Sequence, residues 1–219
     1  MTRFSIFDTK YNGFRVKKNN DVETYKKKLF DKKRLNQKFA FFEKMTLPSI
    51  LNQTYEDWEW NIFSSDHLPQ EYKDRLINLT QQYVKINVYF IGSFKEFTFT
   101  PPEKELDYCT VRIDDDDGLN KDFFQNLQQY KERKNSVVIH SNGVCFKIEN
   151  GEVVLGGTRN WNNTSTPCAI GFDIYSCGNH SSIHKRYTVI TDETHDMWYL
   201  GYDKYCDSGR RKLPSVKKI

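Results

Sequence analysis

The amino-acid sequence predicts an α/β fold with a mostly parallel central sheet flanked by helices. Strand-like and helix-like segments alternate over the first 90 residues, and a buried strand near residue 110 ends in four consecutive aspartates. Such alternation is typical of a largely parallel sheet with helices packed on its faces. Aromatic residues make up 15% of the 219 residues, so the chain can build a large core.

The N-terminal segments begin this alternation. A short first strand is predicted at residues 3–7, and a polar loop follows it. Apolar residues then recur at spacings of four and three from Leu35 to Phe42, which predicts an amphipathic helix. Pro48 disfavours helical backbone at the residue before it. The alternating segment 58–63 predicts a half-buried strand.

The alternation continues through a second helix and two more strands. This helix is predicted to begin near Pro69, with Asp66 just ahead of it as a candidate cap. Residues 84–90 alternate between apolar and polar side chains and predict a third strand. Residues 108–113 predict a buried strand, and apolar spacing over 123–130 predicts a further helix.

The second half of the chain gives weaker signals. Asn150-Gly151 between two apolar segments predicts a β-hairpin with a type I′ turn. After Gly157 the sequence is irregular to about residue 186, so we expect a loop-rich region there. We predict one domain over residues 1–219, in two halves of about 1–130 and 131–219.

Composition excludes several classes of protein. The five cysteines lack C-x-x-C spacing, so neither a disulfide framework nor a thiolate zinc site is expected. No apolar stretch reaches the roughly 20 residues of a membrane span and no signal peptide is evident, so we expect a cytoplasmic protein. Basic residues concentrate in segment 10–38 and near the C-terminus. They predict a solvated face or, as a second interpretation, weak peripheral attachment to the inner face of the cell membrane; no nucleic-acid-binding motif is present.

The four carboxylates Asp114-Asp115-Asp116-Asp117 carry the strongest chemical signal. They follow a predicted buried strand, and in open α/β sheets ligands bind at the carboxyl ends of the strands. Hard carboxylate oxygens suit Mn²⁺ or Mg²⁺, held together with substrate phosphates. Such an ion would stabilise the negative charge of a departing diphosphate. A solvated acidic turn and a calcium loop are the alternatives, although calcium-loop spacing is missing.

Several segments together resemble a known family. The segment from Phe39 to Thr54 contains Leu47-Pro48-Ser49 and Gln53-Thr54, and Asp66-His67-Leu68-Pro69 follows an aromatic strand. Thr2-Arg3-Phe4 opens the chain, and the acidic run is embedded in Arg112-Ile113-Asp114-Asp115-Asp116-Asp117-Gly118-Leu119. This combination, over roughly residues 1–130, resembles the bacterial rhamnosyltransferase family of GT-A-type glycosyltransferases.

The resemblance implies a GT-A-like fold and the transfer of a sugar from a nucleotide-sugar donor to a glycan or polysaccharide acceptor. The first half would bind the donor and the loop-rich second half the acceptor. Implied donor-binding residues are Thr2, Arg3, Asp66, Arg112, Asp114 and Asp115. Implied ligands of Mn²⁺ or Mg²⁺, in the manner of a DxD motif, are Asp116, Asp117 and Asp203. Asp203 stands where the family carries a histidine.

An inverting transfer also requires a general base near the acceptor hydroxyl. Asp192 and Glu193, in an acidic segment of the second half, are the preferred candidates, and Asp173 is another. Two other functions stay open: a catalytically silent GT-A-like binding domain in a glycan-assembly complex, and a metal-dependent nucleotidyltransferase. The absence of a G-x-x-x-x-G-K-[ST] phosphate loop argues against the latter.

Overall fold

The structure is a computed structural model. It describes residues 2–8, 27–92, 107–160, 169–172, 184–194 and 196–203. Within these, only the backbone is described for 2–8, 107–108 and 169–172.

Among the described residues, strands and helices alternate up to residue 91, as the sequence predicts, and a further strand follows. The strands of this part are β1 (Thr2–Asp8), β2 (Trp58–Ser65), β3 (Ile86–Ile91) and β4 (Asp107–Ile113). The helices are α1 (Lys32–Phe41), a π-helical turn (Phe42–Thr46), α2 (Leu47–Leu51) and α3 (Gln70–Thr80).

The remaining elements are mostly strands. They are β5 (Asp117–Leu119), α4 (Phe123–Leu127) with a 3-10 turn (Gln128–Tyr130), β6 (Ser136–His140), β7 (Asn142–Glu149), β8 (Glu152–Asn160), β9 (Ala169–Phe172), β10 (Thr188–Asp192) and β11 (Trp198–Gly201).

Two sheets organise these strands. The larger has the order β10-β6-β9-β4-β1-β2-β3, and all its pairings are parallel except those that β9 makes with β4 and β6. The smaller has the order β5-β11-β7-β8. The mostly parallel central sheet is thus confirmed. Because β9 runs opposite to both of its neighbours, the strands β1, β2, β3, β4, β6 and β10 all end at one edge.

The helical segment around Pro48 differs from its prediction. Pro48 was expected to disfavour helix at Leu47, yet the chain stays helical from α1 through the π-helical turn into α2. Pro48 is the second residue of α2, where its missing N–H interrupts no α-helical hydrogen bond. The wider π-helical turn before it bonds residues five apart and accommodates the proline ring.

The second half contains more strand than its irregular sequence predicts. The hairpin of β7 and β8 is confirmed, because Asn150 and Gly151 have φ angles of 52° and 83°, both positive as a type I′ turn requires. Strands β9, β10 and β11 were not predicted. Each has only four or five residues and joins its sheet between or beside strands distant in sequence, so local pattern does not reveal it.

One hydrophobic core connects the two sheets. It includes Val111 and Ile113 of β4 in the larger sheet, and Cys145 and Leu200 of β7 and β11 in the smaller one. Both described cysteines, Cys109 and Cys145, are buried free thiols. Among the described residues, no helix combines the length and the apolar character needed to cross a membrane.

Candidate functional site

The carboxyl edge of the larger sheet brings together most of the predicted site residues. Asp66 follows β2, the acidic run Asp114–Asp117 follows β4, and Asp192 ends β10. Three strand spacings separate β4 from β10, so Asp192 lies roughly 14 Å along the edge from the acidic run. This edge is where open α/β sheets bind ligands.

The backbone of the acidic run is held from two sides. A turn closes with the Asp117 N–H donating to the Asp114 carbonyl over 3.1 Å. The hydroxyl of Thr46, in the π-helical turn, lies 2.6 Å from the Asp117 carbonyl oxygen. From the smaller sheet, the Gly201 N–H donates to the Asp116 carbonyl over 3.0 Å. The run is therefore a defined loop between two packed elements.

All four carboxylates of the run are buried, with 2–3% of each residue exposed. Buried charges require paired countercharges. The Lys38 ammonium of α1 lies 3.0 Å from Asp115 Oδ1 and 2.8 Å from Asp116 Oδ2. The Arg112 guanidinium lies 3.0 Å from Asp114 Oδ1 and forms an ion pair with it. Two cations of the chain, Lys38 and Arg112, thus pair with three of the four carboxylates.

These contacts bear on whether a divalent ion fits among the carboxylates of the acidic run. Among the residues that the structure describes, no three His, Cys, Asp or Glu side chains are grouped so that they could hold a metal ion. The ammonium of Lys38 occupies the position between Asp115 and Asp116 that a cation would take. Asp203 comes only two residues after Gly201, whose N–H contacts the run. As arranged here, the three predicted ligands Asp116, Asp117 and Asp203 do not form a metal site.

The predicted base candidates Asp192 and Glu193 have different environments. Asp192 is buried and accepts hydrogen bonds from the Tyr130 hydroxyl (2.8 Å) and from the backbone N–H of Thr194 (2.9 Å), while His140 Nδ1 lies 3.4 Å from its Oδ2. These contacts, led by that of His140, hold the pKa of Asp192 far below its usual range. Conversely, burial and the Asp192 carboxylate raise the pKa of Tyr130 to about 12.

Glu193 is exposed, and it directly follows the buried Asp192 at the same edge of the sheet. A carboxylate in that position is accessible to a molecule bound at the edge.

Asp66 is exposed and does not cap α3. The residue before that helix is Pro69, with no side-chain cap, whereas the Asp66 side chain is 45% exposed beside His67. Thr2 and Arg3, predicted to bind the donor, begin β1 and so lie at the amino edge of the sheet, opposite the edge with the acidic run; only their backbone is described. The alternative base candidate Asp173 lies outside the described residues.

Sequence reasoning missed two residues that shape the site. Lys38 was grouped with the basic residues of a solvated face, yet it is only 3% exposed. Its position three residues after Leu35 and four before Phe42 places it on the apolar stripe of the helix, and a lysine there is an available signal. Thr46 gave no comparable signal, since its contacts are to residues about 70 positions away.

Comparisons with known proteins address the fold and the family. No curated protein sequence matches the chain. Crystal structures of residues 1–349 of S. aureus TarS, alone and in complex with UDP, are similar to it with a TM-score of 0.51 and 12% identity. Each match covers 91% of this chain and 60% of the TarS chain, so this chain spans under two thirds of that length.

The family comparison extends over nearly the whole chain. A family described as "Putative rhamnosyl transferase" matches residues 1–214, which include the acidic run, Asp192 and Asp203. The sequence motifs showed the resemblance over roughly residues 1–130, and the family match extends it to residue 214. On this evidence the chain belongs to that family, with a fold similar to that of TarS.

Proposed function

We propose that this chain is a glycosyltransferase that transfers a sugar from a nucleotide-sugar donor to a glycan or polysaccharide acceptor. The family description suggests rhamnose as the sugar. Surface-polysaccharide synthesis as the setting is our own proposal. The single observation that carries the proposal is the family match over residues 1–214, which includes the charged cluster at the carboxyl edge of the sheet.

The donor would bind along that edge. Asp66 is exposed at the end of β2 and suits a contact to the nucleotide base. Asp114 is buried and paired with Arg112, so its contact to the ribose or the sugar would require this pair to open. Thr2 and Arg3 begin β1 at the opposite, amino edge of the sheet, so we do not place them in this donor site. TarS, of similar fold, was crystallised with UDP, which makes uridine nucleotides the first donors to test.

Glu193 is our preferred general base for an inverting transfer. Its exposed carboxylate can take the proton of the acceptor hydroxyl as that oxygen bonds to the anomeric carbon. The bond from the anomeric carbon to the diphosphate oxygen breaks, and its electron pair leaves with the nucleoside diphosphate. Asp192 is less suited to this role, because its oxygens already accept hydrogen bonds and its pKa is strongly lowered. We assign it the role of fixing the end of β10.

A weak attachment to anionic membrane is a further part of the proposal. Exposed lysines near the start of α1 support it, namely Lys27, Lys28, Lys32 and Lys33. Their ammonium groups would attract a negatively charged lipid surface at low ionic strength.

A panel of nucleotide sugars tests the function. Isothermal titration would identify the donor that binds, and release of nucleoside diphosphate in the presence of candidate glycan acceptors would measure turnover. We expect one nucleotide sugar to bind and to turn over. Binding without turnover on any acceptor would favour the silent binding domain, and a preference for free triphosphates would favour nucleotidyl transfer.

Paired substitutions test the base. Glu193→Gln should lower turnover by about 10²- to 10⁴-fold and leave the melting temperature unchanged, because it removes only the proton acceptor. Asp192→Asn should mainly lower stability. If Glu193→Gln kept its turnover while folded Asp192→Asn lost it, the base would be Asp192 instead.

A further inference from the structure

The feature that goes beyond the proposed function is the ammonium group of Lys38. It contacts two carboxylates of the acidic run at once, at 3.0 Å from Asp115 and 2.8 Å from Asp116, and all three side chains are at most 4% exposed. These residues are 77 and 78 positions apart in sequence, so the contact is made by the fold.

Lys38 is fixed in this position by its helix. It lies on the buried face of α1 together with Leu35 and Phe39, which are 1% and 0% exposed. An ammonium group that left the two carboxylates would have to stay buried without them, at a large cost in desolvation. The arrangement therefore favours keeping Lys38 between Asp115 and Asp116.

A divalent ion would compete directly with this ammonium group. An ion bound by Asp115 and Asp116 would share these two carboxylates with Lys38 and would lie within a few ångströms of the lysine charge. At that separation two cations repel by several kcal/mol at protein-like dielectric values. Asp114 is likewise already paired with a cation, since its Oδ1 contacts Arg112.

We propose that the Lys38 ammonium, rather than a divalent metal ion, is the cation held by Asp115 and Asp116, and that this chain works without added metal. The part of the inference that concerns turnover rests on the proposed function. The part that concerns metal binding rests on the contacts of the charged cluster alone. It replaces the sequence-based expectation of Mn²⁺ or Mg²⁺. Lys38 acts as an internal counter-ion that keeps the acidic run in shape.

Binding of Mn²⁺ to the full chain provides the first test. Electron paramagnetic resonance distinguishes free from bound Mn²⁺, and it would be recorded on the protein alone and with UDP. We expect no stoichiometric Mn²⁺ binding at micromolar concentrations in either sample. One equivalent bound in either of them would overturn the proposal. The nucleotide-free sample reports on Lys38 even if no nucleotide sugar proves to be a donor.

Substitutions of lysine provide the second test. Lys38→Met removes the charge at similar volume and should increase Mn²⁺ affinity by about tenfold or more, because the two carboxylates are then uncompensated. Lys38→Arg keeps the charge and should bind no Mn²⁺. Lys44→Met, the same change at an exposed position of the adjoining π-helical turn, should show the Mn²⁺ affinity of the unmodified chain. A folded Lys38→Met variant with unchanged Mn²⁺ affinity would overturn the proposal.

Turnover provides the third test once a donor is known. Removal of divalent ions with EDTA should change the rate of the unmodified chain less than about twofold, a free-energy change below about 0.5 kcal/mol. A loss of turnover in EDTA that Mn²⁺ restores would overturn the inference while supporting the glycosyltransferase function. If Lys38→Met does not fold, the Mn²⁺ and EDTA measurements on the unmodified chain still decide the question.

Discussion

At the scale of single residues, the carboxyl edge of the sheet contains carboxylates in two kinds of environment. Asp114 to Asp117 and Asp192 are buried, whereas Asp66 and Glu193 are exposed. The buried group is paired with Lys38, Arg112, Tyr130 and other donors. Buried carboxylates with such partners shape the loop, and exposed ones remain accessible to a ligand.

The hydrogen bonds that Asp192 accepts predict that the free energy of unfolding falls at acidic pH. Its pKa is lowered in the folded chain relative to about 3.9 in the unfolded one, so its contribution is present above about pH 4 and is lost as the pH falls further. Asp192→Asn should lower the free energy of unfolding by about 2 kcal/mol at pH 7. Because the unmodified chain loses this contribution in acid, the difference should shrink towards pH 3.

Urea unfolding of both proteins at pH 7 and at pH 3 would measure that difference. The matched control is Asp196→Asn, a nearby exposed aspartate, for which we expect little change at either pH. A difference for Asp192→Asn that stayed constant between the two pH values would show that ionisation of this carboxylate does not stabilise the fold.

At the scale of secondary-structure elements, the acidic run is held between the helical segment α1–α2 and the β5–β11 pair. The π-helical turn presents Thr46 to the carbonyls of Asp115 and Asp117 from one side. On the other side, β11 passes so close that a Cβ atom at Gly201 would lie 2.2 Å from the Asp116 carbonyl oxygen. The shape of the run therefore depends on glycine at that position.

Gly201→Ala tests this close approach. The methyl group would collide with backbone, which cannot move aside as a flexible side chain can, so we expect a loss of about 3 kcal/mol in the free energy of unfolding. Nucleotide affinity should fall as well, because the run would be displaced. Urea unfolding and isothermal titration would measure the two effects.

Gly118→Ala in the neighbouring strand β5 is the matched control. A Cβ atom there would meet the Met45 side chain at 2.8 Å, and that flexible side chain can adjust. We expect a clearly smaller loss of stability. Equal losses for the two variants would mean that contact with the acidic run is not what requires glycine at position 201.

At the scale of the whole molecule, the two sheets share one hydrophobic core. Cys109 and Val111 of the larger sheet belong to the same buried cluster as Trp198 and Leu200 of the smaller one. Residues on both sides of such a core lose their packing together when either sheet unfolds. The two sheets would then form one cooperative unit.

We therefore expect a single unfolding transition. Denaturation followed by far-ultraviolet circular dichroism and by tryptophan fluorescence should give the same midpoint, since Trp60 lies in the larger sheet and Trp198 in the smaller. Two separate midpoints would instead show that the two sheets unfold independently and that the shared core contributes little to the cooperativity of unfolding.

The sequence by itself determined the elements whose signal is local. Hydrophobic periodicity predicted α1 and the strands β2, β3 and β4, and Asn150-Gly151 predicted the hairpin turn. The acidic run was recognisable as a site because four adjacent carboxylates after a buried strand are chemically unusual. These features depend on neighbours within one turn or one strand.

Only the tertiary structure decided which strands pair and which charged side chains contact one another. Strands β9, β10 and β11 form through pairing with strands distant in sequence, and Lys38 meets Asp115 and Asp116 because α1 packs beside the end of β4. Whether a carboxylate is paired, buried or accessible depends on such contacts, which no local pattern encodes. The sequence thus located the charged site, and folding set which cation compensates its charge.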